Sequence, residues 1–108
     1  MQDKMRPVHP GEILRDDVLV PLGMSARQFA LALGVPANRV SQILASERAV
    51  TADTALRIAR LLGSTPEFWL RLQTRYDLKM QQDVAGVEIA RKVRPLSRKV
   101  LTAASSRV

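Results

Sequence analysis

A chain of 108 residues, 46% of them hydrophobic, is long enough for one domain with a single modest core. It contains no cysteine, which excludes a disulfide framework, a thiolate metal site and a thiol nucleophile, and no apolar run approaches the roughly 18 residues of a membrane-spanning helix. The net charge of +7 is unevenly placed: residues 1–90 carry 11 basic and 10 acidic groups, a net of +1, whereas the last 18 residues hold six basic groups (Arg91, Lys92, Arg94, Arg98, Lys99 and Arg107) and no acid. No basic-then-apolar leader opens the chain, so the expectation is a cytoplasmic protein.

Residues 1–8 read as a loose N-terminal arm. His9-Pro10-Gly11-Glu12 opens a first helix, with Glu12 near its positive end and Ile13, Leu14, Val18 and Leu19 on its apolar side. Pro21 and Gly23 stop it. Ser25 caps a second helix carrying Phe29, Ala30 and Leu33 on one face, and Gly34 supplies the left-handed residue that ends it. Pro36 suits the start of a third helix, striped by Val40, Ile43 and Leu44. A loop from Ser46 to Val50 carries Arg48. Thr51 or Thr54 then caps a fourth helix, with Ala55, Leu56, Ile58, Ala59 and Leu62 facing inward and Gly63 at its end.

Thr65-Pro66-Glu67 is a strong start signal for a fifth helix running to about Leu78. Phe68, Leu72 and Tyr76 share one of its faces, and with Trp69 they read as core and interface packing. Residues 80–93 are helix-compatible but weaker, because the stripe Met80, Val84, Val87 is narrow and interrupted by Gly86. Such a stripe covers its own domain or pairs with a copy of itself. Pro95 ends this segment, and residues 97–108 read as a solvated basic tail. The predicted fold is all-α: five helices and a further C-terminal helix, with the folded body spanning residues 9–96.

The second and third helices, joined by a glycine turn, have the helix-turn-helix arrangement, whose second helix fits the DNA major groove. With Val40 at the centre of the buried face, Asn38, Gln42 and Ala45 fall opposite it, flanked by Arg39 and Ser41. Asn and Gln amides match the N6/N7 edge of adenine, Arg matches guanine or a phosphate, and Ala37 in the first turn can meet a thymine methyl. The competing reading is a polar face that merely sits in water. No acid lies between Asp17 and Glu47, which leaves this unit at +2 from Arg27 and Arg39. Carboxylates repel DNA, so the gap fits backbone contact.

Three blocks of the chain resemble the HigA-type antitoxins, helix-turn-helix proteins of the XRE/Cro class: PVHPGEIL (7–14), SARQFALALGVPANRVSQIL (25–44) and TADTALRIARLLGSTPEFWLRLQTRYDL (51–78). The last block is the narrowest match, and the resemblance covers about residues 7–96. It implies a phage-repressor-like fold and a homodimer that represses its own operon by binding a palindromic operator in double-stranded DNA. It also implies a partner, an mRNA-cleaving toxin of the HigB/RelE type. Base contacts are expected from Ala37, Asn38, Arg39 and Gln42, with Ser41 flanking them on the DNA-binding face, and phosphate contacts from Ser25, Arg27, Gln28 and Arg48. Ala37 departs from the polar residue that many phage repressors carry there.

The dimer contact is expected within residues 66–93, with Phe68, Trp69, Leu72 and Tyr76 as its candidates. No catalytic residues, metal or cofactor are expected. His9, the sole histidine, stands beside Glu12, Asp16 and Asp17, but no nucleophile or second base completes a mechanism, and there is no phosphate-binding glycine loop. A free-standing repressor without a toxin would present the same DNA surface.

Overall fold

The computed structural model describes residues 6–105, which form six helical rods and no strand. The first, α1, joins Pro10–Ile13, a π-helical stretch Leu14–Leu19 and Val20–Leu22. It is followed by α2 (Ala26–Leu33), α3 (Ala37–Leu44), α4 (Ala52–Leu62), α5 (Pro66–Lys92) and α6 (Arg98–Ser105). No helix among the described residues is long and apolar enough to cross a membrane.

Local chemistry accounts for the boundaries. Ser25 accepts from the Gln28 backbone N–H while Gln28 Oε1 accepts from the Ser25 N–H, a reciprocal capping box. Thr51, rather than Thr54, caps α4, and Thr65 caps α5 ahead of Pro66. Gly23, Gly34 and Gly63 take left-handed conformations at the C-termini of α1, α2 and α4. Ser46 does the same after α3 with φ of 62°, a conformation that a side chain makes costly. The π-helical stretch has a cause in Pro21, which lacks an N–H and would clash with the carbonyl four residues back in a regular α-helix. A wider turn relieves that crowding, and the Val20 N–H bonds to the Arg15 carbonyl, five residues back.

The core forms where the apolar stripes meet: Leu14 and Leu19 of α1, Phe29 and Leu33 of α2, Val40 and Ile43 of α3, Ile58 of α4 and Trp69 of α5. Each of the larger side chains stabilises the fold by about 1.5–3 kcal/mol through burial. Glycine governs one contact. A Cβ on Gly11 would lie 1.8 Å from the Ile43 carbonyl oxygen, so α1 approaches the α3 backbone more closely than any other residue allows. His9 and Tyr76 meet edge to face at 4.8 Å and tie the start of α1 to α5.

Several expectations are corrected. Leu56 is 60% exposed, because it is turned by about 100° from Ala55 and falls just off the inward stripe of α4. The fifth helix and the weaker segment after it are one 27-residue rod, roughly 40 Å long, since no cap or proline separates Leu78 from Met80 and a lone Gly86 costs only about 1 kcal/mol. Ion pairs Lys79–Asp83 and Glu88–Lys92 line its outer half. Residues 97–103 are exposed, but the segment carries a helix that the reading as a solvated tail did not include: Ser97 Oγ accepts from the Val100 N–H and α6 follows. Arg107 lies outside the described residues, as do residues 1–5 of the arm. Where the arm is described it is anchored, with Arg6 giving both terminal nitrogens to the Glu12 carboxylate at 3.0 and 3.3 Å.

Candidate nucleic-acid interface

Helix α3 is held from beneath by Val40 and Ile43, and its opposite side faces solvent. Ala37, Asn38 and Ser41 are exposed there, and Gln42 is half-buried at its edge. The Asn38 amide makes no hydrogen bond within the described residues, so its donors and acceptor are all available. Ser41 Oγ donates to the Asn38 carbonyl at 3.3 Å, a local bond that sets its rotamer.

Gln42 and Arg48 are brought together. The left-handed Ser46 reverses the chain after α3, and Arg48 Nε then donates to Gln42 Oε1 at 2.8 Å. Among the described residues, that bond leaves the Gln42 NH2 group as a free donor and the two terminal nitrogens of Arg48 unspent. At the start of α2, Ser25, Arg27 and Gln28 are exposed. The capping box uses the acceptors of Ser25 and Gln28 but spares the hydroxyl proton and the amide NH2 as donors for an anion.

Arg39 is placed differently from the expectation. Its Nη1 reaches Asp53 Oδ2 at 2.7 Å and Thr54 Oγ1 at 3.5 Å, so it leans sideways onto α4 rather than outward with Asn38. Asp53 Oδ2 also accepts from Arg57 Nε at 3.0 Å, and Arg57 Nη1 donates to the carbonyls of Leu33 and Gly34 at 2.9 and 3.2 Å. One carboxylate thus links the recognition helix to the end of α2, and its two arginine partners hold its pKa below the usual carboxylate value. The acid-free stretch in the sequence is therefore not acid-free in space. Spacing made the Asp53–Arg57 pair legible as an i, i+4 helical ion pair. Nothing in the sequence connected Asp53 to Arg39, 14 residues earlier.

His9 is buried, and its Nδ1 accepts from the Gly11 N–H at 2.9 Å to cap α1. It stands apart from the exposed Asp16 and Asp17. Of the four residues expected at a dimer contact, Trp69 is 3% exposed and donates its indole N–H to Ser64 Oγ, so it belongs to the core. Phe68 is exposed, while Leu72 and Tyr76 are half-buried.

Two helices meeting across a glycine turn, the second with an amide-bearing face in solvent, define a helix-turn-helix protein. A helix-turn-helix family model matches residues 16–70. The chain belongs to the HigA family of helix-turn-helix antitoxins. An addiction module antidote protein of the HigA family from Coxiella burnetii is 50% identical, and its structure matches with a TM-score of 0.80 over 84% of this chain and 99% of that one. Pseudomonas aeruginosa antitoxin HigA, solved with the higBA promoter, is 38% identical with a TM-score of 0.82 over 85% of this chain and all (100%) of that one. Antitoxin HigA-1 of Vibrio cholerae serotype O1 is 43% identical over 69% of this chain and 70% of that protein.

Proposed function

We propose that this chain is the antitoxin of a two-gene operon in the cytoplasm: a homodimer that represses the operon at a palindromic operator and neutralises an mRNA-cleaving toxin of the HigB/RelE type. The observation that carries the DNA reading is the solvent face of α3, where a free Asn38 amide stands beside a Gln42 amide oriented by Arg48. Asn38 and Gln42 read base edges, Ala37 and Ser41 border them, and Arg48 serves guanine or a neighbouring phosphate. Ser25, Arg27 and Gln28 hold the backbone of the same groove. Arg39, braced on Asp53, sits at the flank and contacts phosphate rather than a base. The domain that performs this is residues 9–96.

In vitro selection from a random duplex library tests the DNA reading, followed by titration of the selected duplex with Asn38→Ala and Gln42→Ala. The expected outcome is an inverted-repeat consensus, with each substitution weakening binding by roughly 1–3 kcal/mol and relaxing one base position. No consensus, or unchanged affinity and preference for both variants, refutes it. Co-expression with any short reading frame that adjoins this gene tests the partner: rescue of growth and a stable complex are expected. A neighbouring frame that is neither toxic nor bound by this chain leaves a free-standing repressor.

A further inference from the structure

The last acid of the chain is Glu88, and it is already shared by Arg91 and Lys92. Beyond it Arg94, Arg98 and Lys99 are exposed, and no carboxylate lies within ion-pairing distance of them among the described residues. Helix α6 orders two of these cations. At about 100° per residue, Thr102 falls between Arg98 and Lys99, Val100 lies on the opposite side, and Leu101 borders the cationic side next to Arg98. Three unneutralised cations within six residues of chain repel one another, and a polyanion relieves that repulsion.

We propose that the segment Arg94–Lys99 is a second DNA contact, which grips the phosphates of duplex lying outside the base pairs that α3 reads. The inference rests on the reading of this chain as a DNA-binding protein and extends it to a surface that the helix-turn-helix does not include. Two of the three cations are arginines, whose planar fork matches phosphate oxygens. The helix is about 12 Å long, and duplex DNA carries one charge per roughly 1.7 Å, so several phosphates lie within its reach. An anionic lipid surface fits less well, because the large apolar side chains around these cations are the four aliphatic ones Val93, Leu96, Val100 and Leu101, and no aromatic anchor follows Tyr76. Contacts to phosphate carry no base information, so the segment raises affinity for any duplex and leaves sequence preference to α3.

The test compares the full chain with the triple variant Arg94→Gln, Arg98→Gln, Lys99→Gln and with the charge-preserving pair Arg94→Lys, Arg98→Lys. Binding to a random-sequence duplex is measured by fluorescence anisotropy over a series of salt concentrations. All three side chains lie outside the core, and circular dichroism confirms equal folding. The glutamine variant is expected to flatten the log–log salt dependence by about 0.9 for each phosphate it no longer neutralises, up to about 2.7 per chain. The lysine variant is expected to keep the full slope, and preference for the selected duplex over random sequence is expected to be unchanged in both. Equal slopes for the native chain and the glutamine variant overturn the proposal. So does a glutamine variant that keeps its salt slope but loses binding to phosphatidylserine vesicles, which makes the segment a membrane contact. Failure of the base-reading assignment is separable: it appears as no preferred duplex for the native chain, while the slope comparison on random duplex still decides the role of this segment.

Discussion

His9 couples protonation to folding. Its Nδ1 must be unprotonated to accept the Gly11 N–H. Burial holds its pKa below the ordinary 6.5, against the opposing pull of Asp77, the Arg48 carbonyl and Glu12. The unfolded chain therefore takes up the proton first as pH falls. The stability that neutral His9 contributes is complete above about pH 6.5 and declines below it, by at most about 1.4 kcal/mol per pH unit, until the folded-state pKa is passed. Urea midpoints are expected to drop between neutral and mildly acid pH in the native chain. A His9→Asn variant, which caps without titrating, is expected to flatten that decline. Asp53 and Glu88, with pKa values lowered by their arginine and lysine partners, act only in the more acid carboxylate range and so do not blur the window.

At the scale of elements, the angle of the recognition helix is set from two sides. On one side the Asp53 carboxylate joins Arg39 of α3 to Arg57 of α4, and Arg57 reaches the carbonyls that end α2. On the other, α1 lies against the backbone of α3 at Gly11. Gly11→Ala places a methyl where the Ile43 carbonyl stands and forces α1 and α3 apart, an overpacking cost of about 1–3 kcal/mol or more. A lowered melting temperature and weakened DNA binding are both expected, since the displaced element carries Asn38 and Gln42. A variant that melts like the native chain would show that the two helices separate freely, contrary to this account.

At the scale of the whole molecule, the described residues extend 56 Å in their longest direction against 25 Å in their shortest, and the outer half of α5 contributes an arm that its own domain does not cover. The i+4 row Phe68, Leu72, Tyr76, Met80, Val84 touches the domain at its middle, where Leu72 is half-buried and Tyr76 meets His9, and ends in solvent, where Val84 and Val87 are each 79% exposed. In the proposed dimer, two copies joined through this outer row would present two recognition helices, and an inverted repeat requires them about one DNA turn apart, roughly 34 Å. Val84→Asp with Val87→Asp is expected to weaken self-association at least about tenfold, near 1.4 kcal/mol, and to lower operator affinity while leaving the melting curve of the monomer unchanged. Sedimentation equilibrium decides: a dimer of undiminished stability places the contact elsewhere.

Short-range rules make the helices legible in the sequence. Capping by Ser25, Thr51 and Thr65, termination at Gly23, Gly34 and Gly63, and the stripes of Phe29, Val40 and Ile58 are effects that act within a few residues. For the same reason the sequence alone determined that α2 and α3 form a helix-turn-helix and which amides stand opposite Val40. It did not determine the continuity of α5, because a narrow stripe and one glycine fall short of a stop signal without amounting to a helix signal. Nor did it reveal α6, whose charge read as a solvated extension. Only the tertiary structure decided that Arg39 turns to Asp53, that Arg48 orients Gln42, that Trp69 is core, and that Gly11 is where α1 meets the backbone of α3. Those are contacts between groups distant in the chain, set by how rods pack, and no local periodicity encodes them.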